Sequence, residues 1–118
     1  MLETDRFRLE HMYDAARFAY GYAQKRGRRD FDEDLTLTLA VVKLIEIIGE
    51  AASKVSADGR AALPEIRWDD IIGMRHRLIH AYYDINRDIV WETATRNLPP
   101  LIGQLERALG RAPQDRQP

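Results

Sequence analysis

The sequence predicts an all-α protein, an antiparallel bundle of four to five helices that dimerises. Two observations give the fold class. Apolar residues recur at three- and four-residue spacing along four long stretches, and no run alternates convincingly as a strand does. Turn-forming residues, Asp58-Gly59 and Pro64 among them, fall between those stretches. A third observation bears on packing: the second stretch is too apolar to be covered from one side in so small a protein, so it lies either centrally in the bundle or at a subunit interface. The 118 residues, 45% hydrophobic and 31% charged, suffice for one domain, placed at residues 1–110 with a frayed tail at 111–118.

The elements follow in order. Asp5 is expected to cap a first helix from about Arg6 to Lys25, with Phe7, Leu9, Met12, Ala16 and Ala19 at helical spacing. The charged segment from Gly27 to Asp34 breaks that pattern and reads as a loop. A second helix from Leu35 to about Val55 has an apolar arc of roughly 160° through Leu37, Val41, Ile45 and Ile48. Leu35, Leu39 and Val42 add a strip on another side. Ser56 to Trp68 is a connector with room for one helical turn. A third long helix runs from about Asp69 to Tyr82, and Asp84 and Asn86 turn the chain into a last helix, Arg87 to about Leu109. Pro99-Pro100 should kink or split that helix near Asn97. Trp68 and Trp91 read as core or interface anchors, and His11 as structural.

Composition excludes several classes. A net charge of -1 gives the whole molecule no strong pull on nucleic acid, so RNA contact must come from local patches such as Lys25 to Arg29. The absence of cysteine rules out disulfides and thiolate metal sites and fits a reducing cytoplasm. No apolar run approaches a membrane span and the start lacks a signal-peptide pattern, so no membrane partner is expected.

The chain's chemistry concentrates between Trp68 and Asp84. Arg75 falls within the stripe of Ile71, Ile72, Met74, Leu78, Ile79 and Tyr82, an expensive place unless its guanidinium meets a carboxylate, a phosphate or a wet cleft. His80, five residues on, points about 140° away on a regular helix. For both to reach one phosphate, either the helix unwinds around His80 or two copies of the chain share the site. Such a pair suits metal-free cleavage of an RNA phosphodiester. An imidazole titrates near neutrality and can move the proton of a ribose 2′-OH or of the leaving oxygen. A guanidinium holds the phosphate and stabilises its developing charge.

Other residues compete or support. His76, His80 and Asp84 are four apart in turn, a zinc-like spacing if the helix continues that far, but no glutamate follows His76 and cysteine is absent. A metal site is therefore the weakest reading, and no cofactor is expected. His76 otherwise reads as solvated, and Asp84 as a turn cap or an orienting group. Glu46 and Glu50 share a helix face with Lys43 and Lys54, which favours a solvated face, with one of the two glutamates as a partner for Arg75.

The motif Arg75, four residues, His80, one residue, Tyr82 resembles the signature of the HepT-like branch of the HEPN ribonuclease superfamily. The likeness extends through Leu44 to Ala52, Pro64-Glu65-Ile66, Trp68, Ile71 to Arg75, Leu78 to His80, Ile89-Val90-Trp91 and Leu98-Pro99. His76 departs from it, standing where relatives often carry Asn. The resemblance implies a homodimeric, metal-independent RNase toxin of a type VII toxin–antitoxin pair, with Arg75 and His80 catalytic at a composite interface site. It also implies a partner, the nucleotidyltransferase antitoxin MntA, which transfers AMP to the motif tyrosine, here Tyr82, with Tyr83 the less favoured acceptor. The alternative is a catalytically inactive HEPN module that binds nucleotide or a nucleotidyltransferase.

Overall fold

A computed structural model describes residues 1–81 and 84–113, with only the backbone of residues 79–81. Among these residues six α-helices and one small hairpin appear in the order α1 (Glu3–Glu33), α2 (Leu35–Ser53), α3 (Ala57–Ala61), α4 (Trp68–Leu78), β1 (Ile79–Ala81), β2 (Asp84–Ile85), α5 (Arg87–Glu92) and α6 (Leu98–Leu109). A π-helical turn, Thr93–Asn97, joins the last two. The architecture is the expected all-α bundle.

Helix α1 is longer than its apolar pattern suggested. The backbone breaks only at Gly27, where φ is 80°, a region that favours glycine, and the helix then resumes to Glu33. The supposed charged loop is thus a helical segment laced by four-apart pairs: Arg26 with Asp30, Arg28 with Asp32 and Arg29 with Glu33. Arg28 also reaches Asp88 at 2.6 Å, so acidic neighbours neutralise much of the basic patch proposed to steer RNA. At the other end, Leu2 rather than Asp5 occupies the capping position. Asp5 is buried and accepts from the Ser56 amide at 2.9 Å and its hydroxyl at 2.6 Å, tying the start of α1 to the start of α3. His11 is exposed, its ring tilted at 55° against that of Phe7 with centroids 4.2 Å apart.

Helix α2 is capped by Asp34, whose side chain accepts from the Leu37 amide. It packs between α1 and α4, which gives it two covered sides. Val42 joins the core, whereas Leu35, Leu39 and Ile47 stay 54%, 46% and 37% exposed. Gly49 lets α4 approach closely, since a Cβ there would stand 3.0 Å from the Ile71 carbonyl oxygen. Arg87 fastens the bottom of the bundle by donating to the Phe31 carbonyl at 3.0 Å and the buried Thr38 hydroxyl at 2.8 Å.

The split of the last helix falls where Pro99-Pro100 placed it. Neither proline has an amide to donate, and each ring presses on the carbonyl four residues earlier, so the preceding turn widens to π geometry. Asn86 caps α5 through the Ile89 amide, and Gly110, at φ 69°, ends α6. Trp68 is buried with its indole N–H on the Leu63 carbonyl, while Trp91 is half-buried against Phe31. The buried apolar side chains form one cluster running from Leu9 to Leu109. Among the described residues no helix is long and apolar enough to cross a membrane.

Candidate functional site

Helix α4 carries Asp69 and Asp70 in its first turn and Arg75, His76 and Arg77 in its last. That order complements the helix dipole at both ends, so the basic cluster stabilises the turn from which it projects. Trp68, Met74 and Leu78 fix the helix in the core. Arg75 does not follow them: its side chain is 57% exposed, and the core stripe inferred from spacing is narrower than expected. Its Nε lies 3.4 Å from Oε2 of Glu46, the contact that the sequence offered as the lesser role for one of the two glutamates, beside a solvated face. At that distance, and with both groups open to water, the pair contributes only about 0.2–1 kcal/mol. A phosphate can therefore compete for the guanidinium at little cost.

The helix ends at Leu78, and Ile79–Ala81 continues as a strand paired with Asp84–Ile85. The Leu78 carbonyl, released from the helix, accepts from the Asn86 amide at 2.8 Å and closes this hairpin. Of the two geometries open to the sequence, the helix does unwind before His80. His80 thus sits on extended backbone, freed from the 140° offset of a regular helix; its side chain, and Tyr82 and Tyr83 entirely, lie outside the described residues. This corrects the expectation of a helix to Tyr82 and of a chain without strands. It also removes the basis of the metal reading, because His76, His80 and Asp84 share no helical face. Among the described residues no three metal-ligating side chains converge.

The supporting residues separate. Glu46 faces Arg75, whereas Glu50 pairs with Lys54 at 3.3 Å on the surface of α2. His76 is exposed, and Asp84 is an exposed member of β2. Glu46 lies seven and eleven residues after Leu39 and Leu35, so all three fall on one strip of α2. The uncovered leucines thus run along the helix to the Arg75–Glu46 pair. Sequence spacing missed a second feature on the other flank of α4. There a cavity of about 320 Å3 is rimmed by Arg67, Arg77 and Arg96. Pro99-Pro100, which forces the π turn lining it, was the only trace in the sequence.

Comparison with known proteins gives the family. The family model described as HepT-like ribonuclease matches residues 12–108. A candidate RNase of Caldanaerobacter subterraneus subsp. tengcongensis is 35% identical over 108 residues, covering 92% of this chain and 96% of the relative. A candidate HepT ribonuclease of Thermococcus cleftensis is 32% identical over 84% of this chain and 90% of its own. A candidate RNase of Methanocaldococcus jannaschii is 33% identical over 86% of this chain and 80% of its own. No solved structure matches. With α4, its broken end and the α2 face beside it all inside the matched span, the chain belongs to the HepT-like ribonuclease family.

Proposed function

We propose that this HEPN ribonuclease is a metal-independent endoribonuclease toxin of a type VII toxin–antitoxin pair, with a composite active site formed by two copies of the chain. One observation carries the reading: Arg75 stands solvent-exposed and loosely held by Glu46, at the end of an uncovered apolar strip on α2. A second copy laid along Leu35 and Leu39, with the half-exposed Ile47 at its margin, buries that strip and brings two Arg75–His80 segments together. Arg75 binds the scissile phosphate and offsets the charge that builds on its oxygens. His80 exchanges the protons: the ribose 2′-oxygen loses its proton and bonds to phosphorus, the bond to the 5′-oxygen breaks, and that oxygen gains a proton. The products are a 2′,3′-cyclic phosphate and a 5′-hydroxyl end.

Regulation follows from the same surface. A cognate MntA-like nucleotidyltransferase transfers AMP to Tyr82, and the adduct's phosphate, two residues beyond His80, occupies Arg75 and excludes RNA. The test is cleavage of RNA by the purified dimer with EDTA present, beside Arg75→Ala and His80→Ala. Each variant should lose at least about 100-fold in rate while remaining folded. Absence of cleavage by the folded, unmodified wild-type dimer refutes the enzyme and leaves the inactive HEPN module, binding nucleotide or the nucleotidyltransferase.

A further inference from the structure

We propose that the cavity between α4, the π turn and α6 is a nucleotide subsite, separate from the Arg75–His80 segment, that takes one phosphorylated nucleoside. The ligand is either one unit of an RNA strand or a free mononucleotide. Three features of the cavity point to this chemistry. Its size, about 320 Å3, falls within the range of small-ligand pockets. Its floor is apolar and made by Ile45, Ile48, Ile71, Met74, Leu98 and Leu101, surfaces against which a flat base loses water at little cost. Its rim carries three guanidinium groups and one carboxylate, an excess of positive charge that a neutral or cationic ligand would not exploit.

The rim groups differ in how firmly they are held. Arg67 is bound to the carboxylate of Asp70 at 3.0 Å. Among the described residues Arg77 makes soft contacts, 3.3 Å to the Met74 sulfur and 3.5 Å to the Asp70 carbonyl. Arg96 and Asn97 belong to the π turn, a geometry frequent at functional sites and forced here by Pro99-Pro100. In an ordinary α-helix, residues 93–97 would be wound more tightly and would present a different pair of side chains to this opening. Arg77 and Arg96 therefore take the phosphate, and Asn97 reads the edge of the base beside Gln104, whose Nε2 already donates to the Glu65 carbonyl at 3.2 Å and whose Oε1 accepts from the ligand. Arg75 and Arg77, two residues apart, point to opposite flanks of α4, so a strand held here approaches the proposed cleavage site around that helix.

The test uses amide NMR on the full-length protein with two probes, AMP and a fully 2′-O-methylated RNA octamer that cannot be cleaved. The expected result is saturable shifts of the Thr93 to Asn97 amides and of the Gln104 side-chain amide. The Arg77→Ala/Arg96→Ala double variant should weaken binding at these positions at least tenfold, and Asn97→Glu, at an exposed position, should weaken it independently. An unchanged circular dichroism spectrum shows that the variants fold. Shifts with the octamer alone identify an RNA subsite; equal shifts with AMP identify a free nucleotide as the ligand. Shifts confined to Arg75–Ala81, no shifts with either probe, or shifts unaffected by the variants would overturn the proposal. None of these readings depends on cleavage, so failure here and failure of the ribonuclease mechanism are separable.

Discussion

Gly49→Ala tests the packing that holds the candidate site. Gly49 and Gly73 are both helical, so replacing either by alanine gains about 1 kcal/mol of helix propensity. They differ in surroundings. A Cβ on Gly73 meets nothing within 4 Å, whereas one on Gly49 stands 3.0 Å from the Ile71 carbonyl oxygen and 3.8 Å from that of Ile72. Neither carbonyl belongs to a flexible side chain, so α4 itself must move by a few tenths of an ångström. Overpacking of this kind costs about 1–3 kcal/mol. The propensity gain is common to both variants and cancels in their difference, which isolates the packing cost. At about 2.1 cal/mol/K per residue, a chain of 118 residues moves about 4 °C in Tm per kcal/mol. Gly49→Ala should thus melt about 4–12 °C below Gly73→Ala at equal protein concentration, measured by calorimetry. Because α4 carries Arg75, the same variant should also slow RNA cleavage several-fold. If Gly49→Ala stabilises the protein as much as Gly73→Ala does, the close approach of α2 and α4 is wrong, and so is the placement of Arg75 beside Glu46.

Three further outcomes are expected. Arg87→Met removes a charged donor from the Phe31 carbonyl and the buried Thr38 hydroxyl and should destabilise by about 1.5–3 kcal/mol in urea titration; a loss below 0.5 kcal/mol refutes the junction at the base of the bundle. The Ser56 hydroxyl, and then its amide, hold the Asp5 carboxyl below its usual range. That stabilisation is present above the ordinary carboxylate pKa and fades as pH falls through the lowered one, so Ser56→Ala should flatten the acid limb of Tm against pH, and an unchanged limb would rule out this contribution. Finally, Leu39→Glu, a change at an exposed position, should leave each protomer folded but shift sedimentation toward the monomer and abolish cleavage, whereas an active monomer would defeat the composite site.

Local rules settled much of this protein. The spacing of Leu37, Val41, Ile45 and Ile48 made α2 a helix, Pro99-Pro100 fixed where the last helix breaks, and the order of Arg75, His80 and Tyr82 marked the family. The continuation of α1 past Gly27 was also written locally, in three four-apart ion pairs, but charge density masked it. Other features needed the tertiary structure because they depend on partners distant in the chain. Asp5 left its expected capping role for a serine 51 residues away. Arg75 reached the surface because the rotation of α4 is set by Trp68, Met74 and Leu78 against the core, which a helical wheel drawn from one segment does not contain. The arginine-rimmed cavity arises only where α2, α4, the π turn and α6 meet. Periodicity along the chain determines which residues share a face; what that face meets is decided by helices packed from the rest of the sequence.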